Sequence, residues 1–260
     1  QTYEYNHMGT SLSEIDKIIK SKTRLFANKR ILIILGQGIF SRNDGYEALE
    51  VIKKFKESLN AELISLHVAA SRVGAMDLNF VSDSGYSSSI EWSDIILNIG
   101  MDEYDLPEDK FVIYQGSHGD RGANRADVIL PSCAFSEESG IYVNTEGRPQ
   151  ISLKACEKIG EARENWAIIR ALSEKLNCTL KYDNLIQLRE KLFLEYPNLS
   201  SFNEVKKNNW INSFKYSKEC LKFDLKNIWR DHYLTNPIAR SSTIMACLLY
   251  TSDAADEPSS

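Results

Sequence analysis

The sequence predicts an α/β fold: a Rossmann-like, mostly parallel sheet flanked by helices, followed by an irregular helical C-terminal extension. Three observations predict it. Five short apolar runs rich in β-branched residues lie along the first half of the 260-residue chain. Helical or loop segments separate most of them, the alternation that builds parallel sheets through right-handed crossovers. The first run, Arg30–Leu35, is also continuous rather than alternating, which suits a strand covered on both faces.

In order, residues 1–10 carry no periodicity, and Ser13–Ile19 starts a short amphipathic helix with Ser11 or Ser13 as its cap. Residues 1–29 thus form a lead segment before the α/β domain, which spans 30–180. The first strand is Arg30–Leu35, ending at Gly36-Gln37-Gly38. Asp44 can cap a helix whose apolar positions Tyr46, Leu49, Ile52, Phe55 and Leu59 follow helical spacing. Further strands are expected at Ala61–Val68, Asp94–Gly100, Phe111–Tyr114 and Val128–Leu130. A helix over Ala162–Leu176 sets Trp166, Ile169, Leu172 and Leu176 on one core face. Another, opened by Asp183 and stopped by Pro197, carries Leu185, Leu188, Leu192 and Phe193. From 198 to 240 the period is lost, and Trp210, Phe214, Tyr216, Phe223 and Trp229 are aromatic anchors among charges. The extension, 181–247, therefore reads as an interaction segment.

The strand, glycine loop and helix at 30–59 invite a dinucleotide reading. A phosphate-cradling turn needs its third glycine at position 41, where this chain has Ser41, and the next glycine is Gly45. A plain tight turn is the better expectation. The stretch Tyr114–Gln150 is the chain's most distinctive, with polar, glycine-bearing loops around Asp127–Pro131. Such loops build either a ligand site or a docking surface. The Gly100–Asp102 and Gln115–His118 segments follow neighbouring strands and should share one sheet edge, where α/β sheets bind ligands. His118 with Asp120 and Arg121 could be read as acid–base machinery, but no nucleophile of suitable context accompanies them. Glu137, Glu138, Asn144, Glu146 and Arg148 are better read as holding loop backbone around Val143–Gln150 than as ligands.

A net charge of −5 without a basic stripe argues against nucleic acid as a partner. No apolar run is long enough to span a membrane directly. The five cysteines, Cys133, Cys156, Cys178, Cys220 and Cys247, lie more than twenty residues apart. Zinc and iron-sulfur sites usually bring two ligands in on one turn, so free thiols in a reducing compartment are expected. His7, His67, His118 and His232 are equally scattered.

The motifs Tyr114-Gln115-Gly116, His118-Gly119-Asp120, Gly122-Ala123, Ala126–Pro131, Tyr142–Arg148 and Trp166 with Ile168–Glu174 are specific. This stretch resembles the C-terminal part of the large (75 kDa) iron-sulfur subunit family of complex I, NADH:ubiquinone oxidoreductase. The likeness runs back to Arg30 and forward to Arg240-Ser241, and its forward part is nearer the mitochondrial form. That C-terminal half is a molybdopterin-oxidoreductase-like domain. In molybdopterin enzymes, loops like Asn144-Thr145-Glu146-Gly147-Arg148 lie near the cofactor.

The resemblance implies a structural role in the peripheral arm of the respiratory chain's first complex, supporting electron transfer from NADH toward ubiquinone. It implies no redox centre in this chain: no catalytic, cofactor-binding or metal residue is carried over. Iron-sulfur clusters belong to the missing N-terminal half and FMN to a partner subunit. The implied partners are that N-terminal iron-sulfur half, as a separate polypeptide or missing from a fragment, and other arm subunits including the flavin-bearing and 49 kDa-type ones. The implied location is the matrix side of the mitochondrial inner membrane. The alternative is the C-terminal part of a molybdenum-dependent oxidoreductase such as a formate dehydrogenase. A free nucleotide-binding module is a third reading. The chain begins with Gln1, so something upstream is expected, and residues 248–260 read as translated sequencing adapter rather than native protein.

Overall fold

The computed structural model describes residues 14, 17, 26, 28–40, 45–67, 69–70, 72–80, 85–206 and 233–248. The aromatic anchors from Trp210 to Trp229, the cap at Asp44, residues 1–10, most of the Ser13–Ile19 helix, Cys220 and the tail beyond Leu248 lie outside them. Two compact units emerge. One takes in the described residues up to Val73, together with Val143–Arg148 and residues 205–206. The other takes in Gly74–Tyr142, Pro149–Glu204 and 233–248.

In the first unit, strands β1 (Leu32–Leu35) and β2 (Glu62–Ser65) pair in parallel, Leu32 opposite Glu62 and Leu35 opposite Ser65. Helix α1 (Gly45–Leu59) crosses between them. Its apolar stripe puts Leu49 and Ile52 against Leu35, with Ile33, Ile39 and Leu63 packed around them. Period-two alternation turns Leu32 and Ile34 the other way, and both are exposed. The expectation of a strand covered on both faces fails here: among described residues only the α1 face is covered. The Gly36-Gln37-Gly38 loop closes as a 3-10 turn, Gln37–Ile39, in which Ile39 N–H donates to Gly36 O and Phe40 N–H to Gln37 O.

The second unit is built on three parallel strands in chain order, β3 (Ile95–Ile99), β4 (Phe111–Gly116) and β5 (Val128–Pro131). Their register sets Ile99 opposite Gln115 and Gly116 opposite Pro131. Helices α2 (Arg72–Asp77) and α3 (Gly85–Trp92) precede β3, and α4 (Arg121–Arg125) joins β4 to β5. The central strand is the most buried: Val112, Tyr114 and Gln115 are all enclosed. The α/β class with parallel strands thus holds, and the five predicted strands all form, divided between two sheets.

Three boundaries move. Strands β6 (Gly140–Val143) and β7 (Pro149–Ser152) pair in a sheet of their own where only polar loop was expected. The helix expected from Ala162 begins at Asn165 as α5 (Asn165–Lys175). Arg163 is held extended instead, its N–H donating to Pro131 O and its carbonyl accepting from Cys133 N–H, which bridges Ser132. Leu176, expected in the core, is 63% exposed. Helix α6 (Leu185–Glu195) is capped by Asn184 rather than Asp183; it stops before Pro197 as expected, and Pro197 then opens a 3-10 turn. Its predicted face does pack: Phe193 meets Phe202 edge to face at 5.7 Å. In the extension, α7 (Pro237–Ser241) starts with Asn236 Oδ1 accepting from Ala239 N–H, and residues 243–248 are again helical.

Candidate functional site

The parallel register brings the segments after β3, β4 and β5 off one edge of the second unit's sheet. Asn98 shapes the first of them. Its side chain accepts from Met101 N–H at 3.0 Å and donates to Met101 O at 2.9 Å, while Gly100 takes a left-handed φ of 64°. That turn delivers Asp102 beneath the edge, only 3% exposed. Asp102 Oδ1 accepts from the Tyr114 hydroxyl and from Gly122 N–H, each at 3.1 Å. Its Oδ2 accepts from Arg240 Nη2, also at 3.1 Å.

Asp120 stands at the head of α4, where its Oδ1 accepts from Arg121 N–H at 2.8 Å and its Oδ2 takes Arg240 Nε. The remaining guanidinium nitrogen, Nη1, lies 3.6 Å from Glu103 Oε1 and donates to Leu234 O. One arginine from the extension therefore closes the edge, its fork shared among three carboxylates.

Electrostatics follow from this geometry. Burial pushes the Tyr114 phenol far up, and the charge and hydrogen bond of Asp102 push it further, so it stays a neutral donor. Burial works to raise the Asp120 carboxyl, but the hydrogen bonds from Arg240 and Arg121 N–H, with both positive charges, hold it below the usual aspartate range. Burial opposes the Arg240 charge, and the bond and charge of Asp120, then Glu103 and Asp102, outweigh it.

The sequence-predicted polar residues do not converge on one site. Ser117 Oγ lies 2.9 Å from His118 Nδ1, while Asp120 is committed to Arg240 and the helix head. Arg121 faces Asp105 at 3.7 Å. Glu137 accepts from Ala134 N–H. Asn144 does hold its turn: its Oδ1 accepts from Glu146 N–H and Arg148 N–H, both at 3.0 Å, and Arg148 pairs with Glu146. Glu138 holds something else. It takes Asn165 Nδ2 at 2.7 Å and Asn165 N–H at 3.1 Å, and Asn165 Oδ1 accepts from Gln115 Nε2 at 2.7 Å. This chain of bonds ties the central strand to the start of α5 and the loop before β6. Arg240 is the participant the sequence did not reveal; the Asn236-Pro237 pair, a cap followed by a helix-starting proline, was the available signal.

A model of the molybdopterin oxidoreductase family matches residues 1–175. The chain belongs to that family. Arg240 lies beyond the residues matched. Among individual proteins the chain is similar to subunits of NADH dehydrogenases. It is 38% identical to the NADH-ubiquinone oxidoreductase 75 kDa subunit of Reclinomonas americana over 94% of this chain and 38% of that one. It is 37% identical to a subunit of the NADH-quinone oxidoreductase of Rickettsia bellii over 95% of this chain and 37% of that one. To the mitochondrial 78 kDa subunit of the Neurospora crassa NADH-ubiquinone oxidoreductase it is 34% identical over 94% of this chain and 36% of that one. The chain thus spans less than two-fifths of these relatives' length, and they favour the NADH dehydrogenase reading over the formate dehydrogenase-like one.

Molybdopterin carries a phosphate, and two places where the family or fold would seat it do not fit. In the Asn144–Arg148 turn, the amides of Glu146, Gly147 and Arg148 all donate to Asn144, and the Thr145 hydroxyl donates to Ser65 O. At the sheet edge the Arg240 guanidinium, a cation that could meet a phosphate, is already committed to Asp102, Asp120 and Glu103. Among the described residues, no three His, Cys, Asp or Glu side chains gather in a metal-binding group. Cys133, Cys156, Cys178 and Cys247 form no disulfide among the described residues. No helix among the described residues is long and apolar enough to cross a membrane.

Proposed function

We propose that this chain is a structural, C-terminal part of the large iron-sulfur subunit in the peripheral arm of complex I. It supports electron transfer from NADH toward ubiquinone without redox centres of its own. The observation that carries this reading is the closed sheet edge. The place where an α/β sheet would offer a ligand site is filled by Arg240 on Asp102 and Asp120. The likeness to 75 and 78 kDa subunits over nearly the whole chain supports it further.

In this role the chain is body rather than wire. Electron tunnelling falls steeply with distance, so clusters held by an N-terminal iron-sulfur half and the flavin of a partner subunit need a rigid frame. The arm's other subunits, the flavin-bearing and 49 kDa-type ones among them, are the neighbours this reading requires. Its location is the matrix side of the mitochondrial inner membrane. Purifying the chain alone and assaying iron, acid-labile sulfide and NADH oxidation tests the proposal. The expected result is none of the three; stoichiometric iron or intrinsic turnover contradicts it.

A further inference from the structure

We infer that the C-terminal edge of the β3–β4–β5 sheet is a guanidinium receptor, occupied in cis by Arg240, and that residues 233–248 are a latch held on it. The receptor is built independently of its occupant. Asp102 is pinned from behind by the Tyr114 hydroxyl and Gly122 N–H, both on Oδ1, which leaves Oδ2 aimed at the guanidinium. The Tyr114 ring needs two glycines beside it. A Cβ on Gly122 would stand 2.5 Å from Tyr114 Cε2 and 2.8 Å from Asp102 Oδ1, and one on Gly116 would stand 2.4 Å from the same ring. Asp120 is fixed in turn by Arg121 N–H at the head of α4.

The shape selects guanidinium over ammonium. Nε goes to Asp120, Nη2 to Asp102, and Nη1 lies toward Glu103 and the Leu234 carbonyl, so three nitrogens of one plane serve different acceptors. A lysine ammonium is a point charge and cannot span them. The charge also drives occupancy, because an enclosed Asp102 carboxylate with its cation removed bears the cost of an unpaired buried ion. The latch, by contrast, is not held by a core of its own. None of residues 233–248 is fully buried, and Ile244 is 75% exposed. The Arg240 contact anchors it on this edge, and releasing it would open an anionic, tyrosine-floored cleft to another arginine side chain.

The test uses the full chain, hydrogen exchange read by mass spectrometry, and two variants. In Arg240→Ala, amide protection across 233–248 should fall by about tenfold or more, while β4 stays protected. In that variant methylguanidinium at about 10 mM should rescue occupancy, read as added protection of the Gly122 N–H that shares Asp102, and methylammonium at the same concentration should not. Asp120→Asn, which keeps the enclosed Asp102, should loosen the latch by a smaller factor. Unchanged protection of 233–248 in Arg240→Ala overturns the inference. So does equal rescue by the two cations, or no rescue by either. Loss of β4 protection in both variants also overturns it, since Arg240 would then be support for the sheet rather than a latch upon it.

Discussion

Tyr114 and Asp102 show how much one enclosed pair can decide. With the ring buried and its hydroxyl on a carboxylate, removing that oxygen leaves Asp102 short of one of its three partners. Tyr114→Phe should cost about 1–3 kcal/mol in urea unfolding, with little change in the denaturant slope. Asp120 supplies the pH dependence. Its folded pKa is depressed, so its contribution is fully present above the unfolded aspartate value and is lost as pH falls through the folded one. Arg240, Arg121, Asp102 and Glu103 are the charged groups around it. Stability measured from pH 6 down to pH 2 should therefore fall on the acid side, and Asp120→Asn should flatten part of that fall. An acid limb identical in the variant would contradict the assignment. Of these residues the sequence offered Asp120 as a candidate, but beside the wrong partner. Proximity along a loop suggested His118, whereas the geometry joins Asp120 to an arginine 120 residues away.

At the scale of elements, strands were the most legible feature. Apolar β-branched runs such as Ile95–Ile99 mark strands well, although this edge strand keeps Ile95 and Ile99 exposed and pairs in parallel with β4 across an irregular connection rather than a helix. Helix ends were less legible because long-range bonds set them. Arg163 has helical neighbours in sequence, yet its backbone is claimed by Pro131 and Cys133, so α5 starts two residues later. The β6–β7 pair was hidden for another reason: its turn is rich in polar side chains, and Gly147 at φ 80° together with Asn144 does the turning. The Gln115–Asn165–Glu138 relay connects these elements. Asn165→Ala removes partners from an enclosed Gln115 and from Glu138 together, and about 2–3 kcal/mol of lost stability is expected by thermal or urea unfolding. A loss under about 0.5 kcal/mol, the range of ordinary surface substitutions, would show that the relay does not hold α5 to β4.

For the molecule as a whole, the run of apolar strands and the motifs from Tyr114 onward made the class readable, and the chain's membership of the molybdopterin oxidoreductase family agrees with it. The extension was not readable in the same way. Its contact with the sheet edge is made by Arg240, and no hydrophobic period announces a contact made by a guanidinium. The chain spans below two-fifths of its relatives' length, and the assembly proposed for it is where the reading is most exposed to test. The most direct measurement is metal content with subunit identity in the native assembly, isolated without denaturant and resolved by mass spectrometry. The account predicts co-purification with flavin-bearing and cluster-bearing subunits, iron accounted for by those partners, and no molybdenum in proportion to this chain. Molybdenum at one atom per copy of the chain, or isolation of the chain free of such partners, would contradict it.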